Sequence, residues 1–237
     1  MRGKFLTAGM LTCAMAATVS AQSGSFGSLA GGSVSQLITN KAVQEELRLT
    51  DEQIAKLKDW ATDMRLKAAD IRKEKGVELG GKGAKGFTPP TPEQVEKLAA
   101  VNEEIRKVSY KELAEILEKK QFERLKQIDR QSMGIHAFLN DEVTFALNIT
   151  ESQKTSVKGL AEDLGKVRSE IIKKALEGGP DLDKLQAAQK EVRKVEREFI
   201  GKAVMLLGTT QMKKWAALTG EPFDLEKLRP QVLKKKD

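Results

Sequence analysis

Residues 47–60 read LRLTDEQIAKLKDW, and one hundred residues later residues 147–160 read LNITESQKTSVKGL. Each stretch joins a short apolar segment to a long run with helical spacing. In the first, Thr50 and Gln53 form a capping box. The Thr50 hydroxyl accepts from the Gln53 backbone N–H, and the Gln53 side chain reaches back to the Thr50 N–H. Asp51 and Glu52 fall in the first turn, where the helix dipole favours negative charge. Leu49 and Ile54 are spaced for a hydrophobic staple. The second stretch keeps the box in Thr150 and Gln153 and keeps an acid, Glu151. It loses the staple, because Lys154 stands where the apolar partner of Ile149 would be.

The repetition extends beyond the box. Without gaps, 40–60 aligns on 140–160 through Asn40/Asn140, Val43/Val143, Leu47/Leu147, Thr50/Thr150, Gln53/Gln153 and Lys58/Lys158. Farther on, Leu117 and Gln121 correspond to Leu207 and Gln211, now at an offset of 90 residues. The loss of ten residues falls at the break between helices, which is shorter in the second copy, 178–180 against 76–92. The chain therefore reads as two copies of one helical unit, each with two L-x-x-x-Q elements.

The periodicity predicts an all-α fold of long antiparallel hairpins. A short helix is expected from near Ser35 or Asn40 to Leu47. A long one follows, with Ile54, Leu57, Ala61, Met64, Ala68 and Ile71 on one face. The stretch GVELGGKGAKGFTPPTP, residues 76–92, reads as a loop. Thr91, Pro92 and Gln94 then start a helix whose stripe runs through Val95, Leu98, Val101, Ile105 and Val108 and on through Leu113, Ile116 and Leu117. Its pattern continues past a kink near Glu118 to Gln131. In the second copy Asn140 caps a short helix to Leu147. The next long helix buries Val157, Leu160, Leu164, Val167 and Ile171. After Gly178-Gly179-Pro180, another carries Leu182, Leu185, Ala188, Val192, Val195 and Phe199. A last helix after Gly208 holds Met212, Trp215 and Leu218. The expected divisions are a leader at 22–34, a first unit at 35–134, a second at 135–223 and a basic tail at 224–237.

Residues 1–21 have the layout of a secretory signal peptide. Arg2 and Lys4 precede an apolar run from Phe5 to Val19, which ends in the small residues Val19-Ser20-Ala21. The only cysteine, Cys13, would leave with it, so the mature chain would hold no disulfide and no thiol nucleophile. Of 41 basic residues, 39 remain after Arg2 and Lys4 are removed, against 34 acidic. That mild, interleaved excess describes solvated helix faces, and with export it argues against nucleic acid as a partner. No mature stretch is apolar enough to span a bilayer.

Leu49-Thr50-Asp51-Glu52-Gln53 matches the LTxxQ motif of Spy/CpxP-type periplasmic proteins. Ile149-Thr150-Glu151-Ser152-Gln153 matches with Ile for Leu. Glu118 and Gly208 stand where that family has Thr, so the elements at Leu117–Gln121 and Leu207–Gln211 are eroded. The stretch RLKQIDRQSMG, residues 124–134, also resembles exported bacterial proteins with such repeats. The resemblance covers most of 40–218. It implies helical hairpins, often dimeric as a curved cradle, in the periplasm or cell envelope. It implies activities such as ATP-independent chaperoning or stress and metal sensing. Two units in one chain would make either a homodimer of such chains or an intrachain pseudo-dimer. The expected partners are proteins or unfolded polypeptide segments. A structural protein of the envelope without clients, or a carboxylate-based metal binder, are the alternatives.

No chemistry is encoded beside this. His136 is the sole histidine and lacks partners for a metal site or a catalytic triad. Residues 76–83 resemble a phosphate-binding loop, but Gly83 stands in place of the hydroxyl residue and a helix, not a strand, precedes it. Asn148-Ile149-Thr150 spells a glycosylation sequon, yet Thr150 is accounted for by capping. No catalytic, cofactor or metal residues are expected. The residues singled out are Leu49, Thr50, Gln53, Leu117, Gln121, Ile149, Thr150, Gln153, Leu207 and Gln211.

Overall fold

The computed structural model describes residues 34–77, 92–179 and 181–228. Within them every regular element is helical: α1 (Val34–Ile38), α2 (Lys41–Glu46), α3 (Asp51–Glu74), α4 (Pro92–Ile116), α5 (Lys119–Ser132), α6 (Asp141–Leu147), α7 (Glu151–Leu176), α8 (Leu182–Met205) and α9 (Thr209–Thr219). Two 3₁₀ turns, Gly134–Leu139 and Leu225–Leu228, complete the described chain. The all-α expectation holds. The expected signal peptide, most of the leader, Thr91 as a cap and most of the 76–92 loop lie outside the described residues. None of the described helices is long and apolar enough to cross a membrane.

Sequence accounts for the long helices directly. α3 opens on the Thr50 cap with Asp51 and Glu52 in its first turn and closes with Arg72 and Lys73 in its last, both favourable to the dipole. Its buried residues are Leu57, Trp60, Met64 and Ala68, spaced three and four apart. Trp60 takes a place the expected stripe had given to Ala61, which is only half-buried. Its indole N–H donates to Glu112 at 2.9 Å, so the ring is buried with its polar edge satisfied. α3 and α4 run antiparallel. Near one end Gln53 meets the Ile116 carbonyl, and near the other Lys75 meets Glu104. α7 and α8 pair the same way, through Gln153 with Leu206 and Arg168 with Glu196.

Each half builds its own core. The first gathers Leu37, Ile38, Val43, Leu47, Leu57, Met64, Val101, Leu113, Leu125 and Ile128. The second gathers Ile135, Phe138, Val143, Leu147, Val157, Leu164, Phe199 and Ala203. Phe138 is fully buried with its ring centroid 4.3 Å from that of Trp215. Ile171, Ala175 and Ala188 form a small separate cluster farther along α7 and α8.

The halves meet where α5 packs on α9. Arg130 and Gln131 donate to the Leu218 and Thr219 carbonyls at 2.9 and 2.6 Å, satisfying acceptors left open at the end of α9. Gly220 ends that helix at φ +60° and ψ −155°, a conformation that L side chains rarely adopt, and a Cβ there would also require the Gln127 amide to move. The chain then returns to the first half. Phe223 enters the first core and its N–H donates to Gln131.

Four details depart from expectation. The helix expected to run past a kink near Glu118 is broken there: Glu118 is extended (φ −64°, ψ 152°) and caps a new helix. Val34, placed in the leader, is buried in α1. Residues at the start of the expected tail are docked: Glu226 pairs with Arg193, and the Lys227 carbonyl accepts from Asn40. Leu182 and Met212, assigned to apolar stripes, are exposed, because α8 has only just begun at Leu182 and the partly buried residues of α9 are Gln211, Trp215, Leu218 and Thr219.

α7 also carries two glycines that no contact explains. A Cβ at Gly159 or Gly165 would meet nothing within 4 Å. Gly159→Ala and Gly165→Ala are each expected to raise stability by about 0.5–1 kcal/mol. Urea unfolding measures this, and a lowered midpoint would show that the site is not ordinary helix.

Candidate functional site

The glutamines singled out by the repeat come together in two pairs. In the first half, Gln53 Nε2 donates to Gln121 Oε1 at 2.8 Å, and Gln121 Nε2 donates to Gln53 Oε1 at 3.2 Å. Each Oε1 also accepts from the backbone N–H at the start of its own helix, from Thr50 at 3.1 Å and from Glu118 at 3.0 Å. The second N–H of Gln53 goes to the Ile116 carbonyl at 3.2 Å. In the second half, Gln153 and Gln211 exchange bonds of 2.8 and 3.0 Å and accept from the Thr150 and Gly208 N–H groups. Gln153 donates onward to the Leu206 carbonyl, and Gln211 to those of Leu147 and Asn148.

The arrangement requires an amide. A carboxylate could cap the backbone N–H but has no proton for its partner, and two would repel. Each pair staples two helix starts and also satisfies carbonyls at neighbouring helix ends. The eroded elements follow the same logic: Glu118 and Gly208 lack the hydroxyl, yet their N–H groups are still capped. Leu117 and Leu207 are buried, and Leu49 and Ile149 pack half-buried against the two cores. All ten residues thus hold the fold. None is poised for chemistry, since the amides are neutral and turned on one another.

The full box exists at Thr50 and Thr150. The Gln53 and Gln153 N–H groups donate to the threonine hydroxyls at 3.2 Å in both. Thr50→Ala is expected to lower stability by about 1 kcal/mol. An unchanged denaturant midpoint would remove the capping role.

A second polar cluster, at the junction of α4, α5 and α6, carries no sequence motif. Asp129 is fully buried and accepts from Arg106 Nε at 2.9 Å and from the Tyr110 hydroxyl at 2.6 Å. Its other oxygen, Oδ1, has no hydrogen-bond partner among the described residues. Arg106 also contacts Glu103, which accepts from the Asn140 side chain at 2.6 Å. Arg130 and Lys126 both donate to Glu142. A cleft of about 320 Å³ lies over this cluster, lined by Glu103, Arg106, Lys107, Tyr110, Lys126 and Glu142. Burial, together with the nearby Asp129 carboxylate, pushes the Tyr110 phenol well above its usual range. Burial would raise the Glu142 carboxyl, but Lys126 and Arg130 outweigh it and hold the group low. The sign of its spacing was the available hint: Asp129 is four residues after the core residue Leu125, and Arg106 and Tyr110 share a face of α4.

Burial, with a smaller contribution from Arg168, lowers the His136 pKa. Among the described residues, no group of three His, Asp or Glu side chains could hold a metal ion.

The remaining feature is apolar. Phe145 is 84 % exposed and Met205 76 %, with Leu206 and Met212 also on the surface. Phe145 lies two residues before Leu147 and Met205 one before Leu206, whose carbonyls the second glutamine pair holds. Met212 follows Gln211 itself. These side chains therefore flank one end of the second half. At the positions matching Phe145 and Met205 the first half has Glu45 and Glu115, both exposed, while those matching Leu206 and Met212 are the half-buried Ile116 and Phe122. Comparison with known protein families, with curated proteins and with solved structures finds no match.

Proposed function

We propose that this is an exported binding protein that holds apolar segments of incompletely folded polypeptides on the surface flanking Gln153 and Gln211. The observation that carries the reading is the contrast between the halves. Phe145 and Met205 occupy positions where the same local architecture tolerates Glu45 and Glu115, so folding does not require them to be apolar. Exposed large apolar side chains mark interaction surfaces when they gather. Methionine suits varied partners, because its unbranched, polarisable side chain adapts to irregular shapes. The LTxxQ likeness and the signal-like residues 1–21 point the same way, to a chaperone-like protein of the bacterial envelope working without ATP.

A second reading is a structural protein of the envelope without clients. It is favoured by the glutamine pairs and the two filled cores, which give the repeated motif a purely architectural role.

Aggregation suppression separates them. The wild type is expected to suppress aggregation of an unfolding client, and a Phe145→Glu/Met205→Glu variant to do so about tenfold less well at unchanged thermal stability. No suppression by the wild type at several-fold molar excess would favour the structural reading. Concentration-dependent self-association lost in the variant would instead identify a second copy as the occupant.

A further inference from the structure

We propose that Met205 and Met212 are sulfoxidation sites, and that their oxidation by a peroxide switches the apolar surface off. The switch rests on the polypeptide-binding reading; the placement of the oxidation sites does not.

The described residues contain four methionines, and the fold divides them sharply. Met64 is 1 % exposed in the first core and Met133 8 % exposed beside the link between halves. Met205 is 76 % exposed and Met212 40 %. Oxidation of a thioether requires a peroxide oxygen to reach a sulfur lone pair. The sulfur attacks that oxygen, an S–O bond forms and the O–O bond breaks. The sulfur loses two electrons, and the peroxide's other oxygen takes the proton lost by the transferred one and leaves as water or an alcohol. Access therefore sets the order: Met205 first, Met212 next, and the buried pair only on unfolding.

The product is a polar, chiral sulfoxide with a strong acceptor oxygen. On a surface it leaves the fold intact, because neither exposed side chain fills a core. It removes apolar character from two of the four side chains that flank the second glutamine pair, and it stiffens the two that are most adaptable. The first half has no such liability, since Glu115 stands at the position matching Met205.

Two measurements test this on the full chain. In the first, the folded protein is titrated with hydrogen peroxide and each methionine is followed by peptide mass mapping. Met205 and Met212 are expected to gain oxygen at least about tenfold faster than Met64 and Met133. Equal rates in the folded state would overturn the site assignment. In the second, binding to reduced, carboxymethylated α-lactalbumin is compared before and after oxidation. Binding is expected to fall at least about fivefold and to recover with a methionine sulfoxide reductase. A Met205→Leu/Met212→Leu variant is expected to keep its binding after peroxide. Equal binding by oxidised and untreated wild type would overturn the switch and leave the binding surface standing. Failure of the untreated protein to bind would overturn the binding reading and the switch together, with the oxidation map still deciding the sites.

Discussion

Asp129→Ala is expected to destabilise the protein by about 3–5 kcal/mol, the largest effect of any single change considered. Removing one partner of a buried ion pair leaves the other charge uncompensated. Here Arg106 would lose the buried partner of its Nε and keep only Glu103, and the Tyr110 hydroxyl would lose the acceptor it has among the described residues. Asp129→Asn should cost less, because the amide oxygen can still accept from both groups and the NH₂ replaces the oxygen that has no partner. Converting the cluster as a whole, with Arg106→Met, Asp129→Leu and Tyr110→Phe, should restore much of the loss, since a well-packed apolar set of similar volume often equals a buried pair. Urea unfolding of the four proteins measures the series. An Asp129→Ala protein within about 1 kcal/mol of wild type would show that the pair contributes nothing net.

Gln121→Ala is expected to cost about 2–4 kcal/mol. The change removes the cap on the Glu118 N–H and both bonds to Gln53, each worth about 1 kcal/mol, with a further penalty for polar groups left half-buried. A double-mutant cycle with Gln53→Ala isolates the pair, and a coupling of about 1–2 kcal/mol is expected. Additive losses would mean that the two amides act only as separate caps. Gln121→Glu should also destabilise, because the carboxylate keeps the cap and the bond from Gln53 Nε2 but faces Gln53 Oε1 with no proton to give.

What the sequence disclosed follows the range of each interaction. A capping box spans four residues, so Thr50 with Gln53 and Thr150 with Gln153 can be read directly, and so can the long helices they start. The partners of those glutamines are 68 and 58 residues away. The eroded elements at Gln121 and Gln211 could be aligned with them, but nothing in the spacing says that the side chains meet. The break at Glu118 reads in the sequence only as a kink for a related reason. Glu, Lys and Gln are all good helix formers, and local propensity gives no cause to stop. The gain from capping a fresh helix with Gln121, paired to Gln53, decides the matter. The Asp129 cluster stayed hidden because charged residues in a helix are usually solvated. Only tertiary packing turns this one inward.

The return of the chain after α9 has a consequence for the order of assembly. Phe223 completes the core of the half that was synthesised first, and Arg124 and Gln131 both donate to the carbonyl of Glu221. Those contacts span about ninety residues or more, and loops of that length must close before they form. The early half therefore emerges one core aromatic short. Its core has its full complement only once nearly the whole polypeptide has arrived.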